Sequence, residues 1–214
     1  MRALTRLPEP QILQQRGAGW LAAFLASGKT RPDSSKYANP QIKAQLNSMS
    51  YHKCFYCEVK LKNKPKEVDH QIEVSVDNTL SYTWTNLYLA CDNCNGKIDH
   101  ATIPITDALD PCRNTNTKIG NHITFTDEQI TAKNGSPLGL ETIKKYRLDT
   151  ELLDKRRIDQ LKIFQKLLIT VQQTLIAQGR NSLSQAEKQA LQIFKQPDQP
   201  FSLMFKIILA QYNL

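Results

Sequence analysis

Apolar residues recur at helical spacing near both ends of the chain and break into short runs between them. Over residues 9–26, Trp20, Leu21, Phe24 and Leu25 share one stripe, which predicts a helix with Pro10 near its start, although Gly17 and Gly19 weigh against it. Residues 28–38 are polar and turn-rich and read as an exposed linker. A second helix is predicted from Asn39, with Pro40 at its first position, to about Met49. Further on, Leu153, Ile158, Leu161, Phe164, Leu168, Val171 and Leu175 keep helical spacing over residues 150–178, a core stripe. Ser184 and Glu187 form a capping box that opens a helix to about Phe194; Pro197 and Pro200 then break the chain before an apolar final run.

The middle has a different grain. Residues 54–100 read as short strands, a turn and one short helix, with Glu67 to Val74 as one strand. Residues 101–137 read mostly as loop, with a small hairpin near residues 122–135 and a turn signal at Asn134-Gly135. The expected fold class is α+β, in three stretches: a helical segment at 1–50, a cysteine-bearing core at 51–110, and a loop and hairpin leading into helices at 111–214.

Composition narrows the class. With 40% hydrophobic residues, ten prolines and eight glycines in 214 residues, the chain is that of a folded protein. "MRALTRLPEP" has no apolar signal-peptide region, and "GWLAAFLASG" is too short to span a bilayer. A soluble, cytoplasmic protein without a membrane partner is expected, with reduced thiols. Basic residues outnumber acidic ones by five in residues 1–50 and again by five in 141–214, whereas residues 51–100 and 101–140 each carry a net −1. Basic flanks around a centre with carboxylates suit an enzyme of nucleic acid, though solvated helix faces explain the charge as simply. No G-x-x-x-x-G-K-[ST] run is present, so ATP hydrolysis by that route is not expected.

The cysteines carry the sharpest signal. Cys54-Phe55-Tyr56-Cys57 and Cys91-Asp92-Asn93-Cys94 are two C-x-x-C pairs, each able to turn both sulfurs onto one ion. Four thiolates make a closed tetrahedral zinc site, structural and without an open position; disulfide or redox chemistry is the lesser reading. His52 is an exposed neighbour, and Cys112 has no partner in sequence. Residues 58–90 form a longer insert than the roughly 15–20 residues of a plain zinc ribbon. That insert holds Asp69 next to His70. Adjacent strand residues face opposite ways, so the two share a site only where the strand ends or bends. Asp69 suits a hard divalent cation and neutral His70 can take a proton, while a lone Asp-His pair on a surface strand does nothing.

C-x-x-C, then V-D-H, then an Asn ahead of "LYLAC", then C-x-x-C-N together resemble the HNH endonuclease family with its ββα-metal fold. The resemblance implies His70 as general base, Asp69 and Asn95 as ligands of a catalytic Mg²⁺ or Mn²⁺, and Asn86 as the residue that holds the base-bearing loop. Asn95 stands where other members carry His. "CFYCEVKL", "VDHQIEVS", "CNGKIDH", "ALDPC" and "NGSPLGLETIKKYRLD" resemble the Septu-type branch of that family, some of which accompany retrons. That branch implies anti-phage defence beside a PtuA-type ATPase. Lys60, Lys62, Lys64, Lys66 and Lys97 are then expected at the phosphates of a DNA, or of an RNA such as tRNA, and Glu67 and Asp110 as further acids. The competing reading is a non-catalytic zinc-ribbon nucleic-acid-binding or adaptor protein; a zinc subunit that only docks a partner is a third.

Overall fold

A computed structural model describes residues 1–61 and 67–213. Lys62, Lys64 and Lys66 lie outside the described residues. Helix α1 (Gln11–Ala26) follows the predicted tract, but the stripe is rotated. Leu13, Gly17 and Phe24 are buried, Trp20 and Leu21 pack against the core from its edge, and Leu25 is exposed. Residues 28–38 are not a bare linker. They contain a one-turn helix, α2 (Ser34–Tyr37), whose first turn is capped by Asp33 through the Ser35 N–H at 2.9 Å. Helix α3 (Pro40–Ser50) starts as expected, with Asn39 accepting from the Gln41 N–H at 2.9 Å.

The centre is a two-stranded antiparallel ribbon and a short helix: β1 (Glu67–His70), β2 (Leu87–Ala90) and α4 (Asp92–Asn95). In register, Asp69 faces Tyr88 and His70 faces Leu87. β1 is shorter than the strand expected through Val74. The reason is local: the Gln71 N–H still meets the Asn86 carbonyl in register at 2.9 Å, but the Asn86 side chain then takes both backbone groups of Ile72 and the ladder stops. Every residue of β2 is buried, whereas β1 runs from an exposed Glu67 to a half-buried His70.

Beyond it, α5 (Asn116–His122), capped by Thr115, occupies a stretch that reads as loop from the sequence. The hairpin is β3 (Ile123–Thr126) with β4 (Gln129–Ala132), turning at Asp127-Glu128. Asn134 and Gly135, both at positive φ, instead make the turn into α6 (Pro137–Lys145). Long α7 (Glu151–Ala177) buries Leu153, Leu161, Phe164 and Val171, and also Arg157. The Arg157 guanidinium lies between the Phe125 and Phe201 rings and donates to the Leu148 carbonyl at 2.6 Å. Helix α8 (Gln185–Gln192) opens with both bonds of the Ser184–Glu187 capping box.

Helix α9 (Ser202–Gln211) sinks Leu203, Met204, Phe205 and Leu209 into the core, against the turn that follows Cys57. There the Glu58 carboxylate accepts from Lys53 at 3.0 Å and from the Ser202 hydroxyl at 2.6 Å. Burial alone would raise the Glu58 carboxyl, but the Lys53 and Met1 ammonium groups outweigh it and hold it at about 2. The C-terminal helix thus braces the cysteine knuckle. Among the described residues, no helix is long and apolar enough to cross a membrane.

Candidate active site

The two C-x-x-C pairs converge. All four sulfurs are buried, none is in a disulfide, and they lie within 4.8 Å of one another. The Cys57–Cys91 sulfur separation is 3.7 Å. A tetrahedron with Zn–S bonds of about 2.3 Å has edges of roughly 3.8 Å, so the cage fits that ion. Burial pushes the Cys57 and Cys94 thiols well up, while hydrogen bonds from Cys54, Cys57 and Cys94 hold Cys91 far below the usual thiol range. Four sulfurs brought together in one dry pocket are satisfied at once when a cation holds them as thiolates. The knuckle is tied to the ribbon by the Phe55 N–H, which donates to the Leu89 carbonyl at 2.9 Å.

Beside this cage is an open cleft lined by Tyr37, Asp69, His70, Glu73, Asn95 and Lys97, with Glu67 at its edge. β1 stops at His70, which lets Asp69 and His70 reach the same space. Asp69 is buried. One of its oxygens accepts from the Tyr56 hydroxyl at 2.6 Å; the other is paired with the Lys97 ammonium. Burial raises the Asp69 carboxyl, opposed by Lys97 and by the Tyr56 hydroxyl. Asn95 ends α4 with its side chain exposed at the cleft.

His70 is oriented on two sides. Its Nε2 lies 2.8 Å from the Ser81 carbonyl, an acceptor only, so Nε2 carries the hydrogen and Nδ1 keeps the lone pair. The Tyr37 ring meets the imidazole edge-on, with centroids 4.6 Å apart. Burial lowers the His70 pKa, which favours the neutral ring.

Asn86 is buried and does not reach the cleft. Its Oδ1 accepts from the Ile72 N–H at 2.8 Å, and its Nδ2 donates to the Ile72 carbonyl at 3.0 Å and the Leu80 carbonyl at 3.3 Å. One amide thus staples both ends of the loop that brings Ser81 to His70.

Lys97, read from the sequence as a phosphate contact, points inward instead, onto Asp69 and the His70 carbonyl at 2.7 Å. Asp110 is removed from the cleft: it accepts from the Tyr88 hydroxyl at 2.9 Å and the Cys112 N–H at 2.7 Å. Lys60 is half-buried, and its ammonium donates to the Tyr51 carbonyl at 3.2 Å. The sequence reading missed Tyr56, Tyr37 and Glu73. Glu73 lies inside the quoted "VDHQIEVS", four residues after Asp69, yet a lone Glu in such a run carries no distinctive signal. Its Oε2 is buried without a hydrogen-bond partner. An orphaned carboxylate oxygen, the Asp69 carboxylate already facing a cation, and an exposed Asn95 amide make an oxygen-rich set that fits Mg²⁺ or Mn²⁺.

Residues 54–100, which hold the ribbon, the short helix and the cysteine cage around the Asp-His cleft, match the HNH endonuclease family model. Over 96 residues the chain is 35% identical to the Septu protein PtuB of Bacillus thuringiensis. That match takes in 44% of this chain and 35% of that protein's length.

Proposed function

We propose that the protein is a metal-dependent endonuclease that hydrolyses phosphodiester bonds of nucleic acid as the effector of a Septu-type anti-phage system. The observation that carries the reading is the geometry of His70, whose Nε2–H is tied to the Ser81 carbonyl so that Nδ1 is the basic nitrogen at the cleft. Nδ1 takes the proton of a water as its oxygen attacks phosphorus; help of this kind accelerates such steps by about 10²–10⁴-fold. Asp69, Asn95 and the free oxygen of Glu73 would hold the divalent cation. When bound, that ion polarises the scissile phosphate and stabilises the leaving oxyanion. Asn86 keeps Ser81, and through it the imidazole, in place. The four cysteines would hold zinc and fix β2 and α4 around the cleft without contacting substrate. The PtuB similarity and the Septu-like segments support a PtuA-type ATPase as partner. DNA and RNA, tRNA included, both suit a cleft that engages phosphate.

The test is cleavage of plasmid DNA and total tRNA with Mg²⁺ or Mn²⁺, with and without the ATPase, by the native protein and by His70→Ala. Cutting that disappears in the variant at unchanged zinc content is the expected result. If neither protein cuts under any of these conditions, the non-catalytic nucleic-acid-binding reading replaces this one.

A further inference from the structure

We propose that the segment between α1 and α3 forms a cationic track that holds the nucleic-acid strand on one side of the scissile phosphate; the proposal rests on the nuclease reading. Three cavities run together along one face. The active cleft shares Tyr37, His70 and Val74 with a second cavity that is also lined by Arg31. The second shares Arg31 and Ser34 with a third, which holds Lys29 and Lys36. The groove therefore changes sign along its length. Its inner end has four acids, Glu67, Asp69, Glu73 and Asp99, against one cation, Lys97. Its outer end has Lys29, Arg31 and Lys36, none of which forms an ion pair among the described residues. The acid on that outer wall, Asp33, turns one oxygen to the Ser35 N–H at 2.9 Å and the Ser35 hydroxyl at 2.7 Å as the cap of α2.

A polyanionic strand fits this polarity. One phosphate enters the acidic end, where a bound cation compensates its charge, and the phosphates next to it meet the three side-chain cations. The wall is also built in advance. Asp33 caps α2 within the track and Asn39 caps α3 at its end, and Tyr82 at its floor packs against Trp20 and Phe24. The backbone is therefore ordered before binding, which leaves only the long side chains to be immobilised. Contacts of this kind register a strand and read no base sequence.

The experiment is fluorescence anisotropy, without added divalent cation, on a short labelled DNA strand, the same sequence as RNA, and the DNA duplex. The native protein is compared with Lys29→Ala/Arg31→Ala/Lys36→Ala, with single Arg31→Glu, and with Lys162→Ala/Lys166→Ala/Lys188→Ala, which removes equal charge from α7 and α8. The track predicts a loss of about tenfold or more for the first triple and a salt slope shallower by about two, with the α7/α8 triple close to native. Arg31→Glu should move the same way with an unchanged melting temperature, which separates lost contacts from lost fold. Equal losses from both triples, or none from the first, overturn the track and leave the nuclease reading standing. A native protein that binds none of the probes likewise overturns the track.

Discussion

The hydroxyl of Tyr56 donates a 2.6 Å hydrogen bond to the carboxylate of Asp69. Tyr56 sits between the cysteines of the first C-x-x-C pair, and Asp69 is the acid proposed to hold the catalytic cation. The cysteine cage and the cleft are therefore one hydrogen bond apart. The ring is held by stacking against Tyr146 at 4.1 Å and Tyr88 at 5.8 Å, so the hydroxyl has little freedom to turn elsewhere.

Tyr56→Phe keeps the ring stack and removes only that bond. A buried carboxylate that loses one donor should cost about 1–3 kcal/mol of stability. Thermal unfolding measures the loss, and zinc content should stay native. A loss of zinc would mean that Tyr56 serves the cage more than the cleft.

Lys97→Met leaves Asp69 without its buried counter-charge. Without divalent cations this should destabilise the fold by about 3–5 kcal/mol. Because Mn²⁺ can supply the missing charge, the variant's melting temperature should rise with Mn²⁺ far more than that of the native protein. Equal responses in the two proteins would argue that the ion does not bind at Asp69.

Asn86→Ala strands the Ile72 N–H and carbonyl, at a cost of about 3 kcal/mol, while the Leu80 carbonyl keeps the Thr83 N–H at 3.1 Å. The loop that carries Ser81 loosens and His70 loses its fixed pose. Cleavage should fall on the order of 100-fold in kcat with KM nearly unchanged, the signature of misplaced chemistry and not of lost binding. Steady-state rates at a temperature where the variant is folded decide it.

Cys94→Ser, or zinc chelation in the native protein, should collapse cage and cleft together, since metal binding at such a site is folding free energy. Near-UV circular dichroism should lose the signal of the packed tyrosines, and any cleavage should vanish with it. A chelated protein that keeps its aromatic signal would show that the cage does not brace the stack.

Much of this protein is written locally. The cysteine pairs announce themselves because two sulfurs on one ion need a fixed short spacing, and the Ser184–Glu187 box and Asn39-Pro40 mark helix starts through bonds that span three residues or fewer. The long stripe of α7 is legible for the same reason: a helix repeats its own geometry. What escaped depends on partners far away in the chain. Lys97 turns inward because Asp69, 28 residues earlier, is brought beside it by the ribbon and α4. β1 ends at His70 because Asn86 takes the backbone of Ile72. Arg157 is buried because Phe125 and Phe201 close around it. The amino-acid sequence alone determined the cage, most of the helices and the identity of the Asp-His pair. The tertiary structure decided which way each charged side chain faces, because desolvation and counter-charge are set by neighbours that only folding brings within reach.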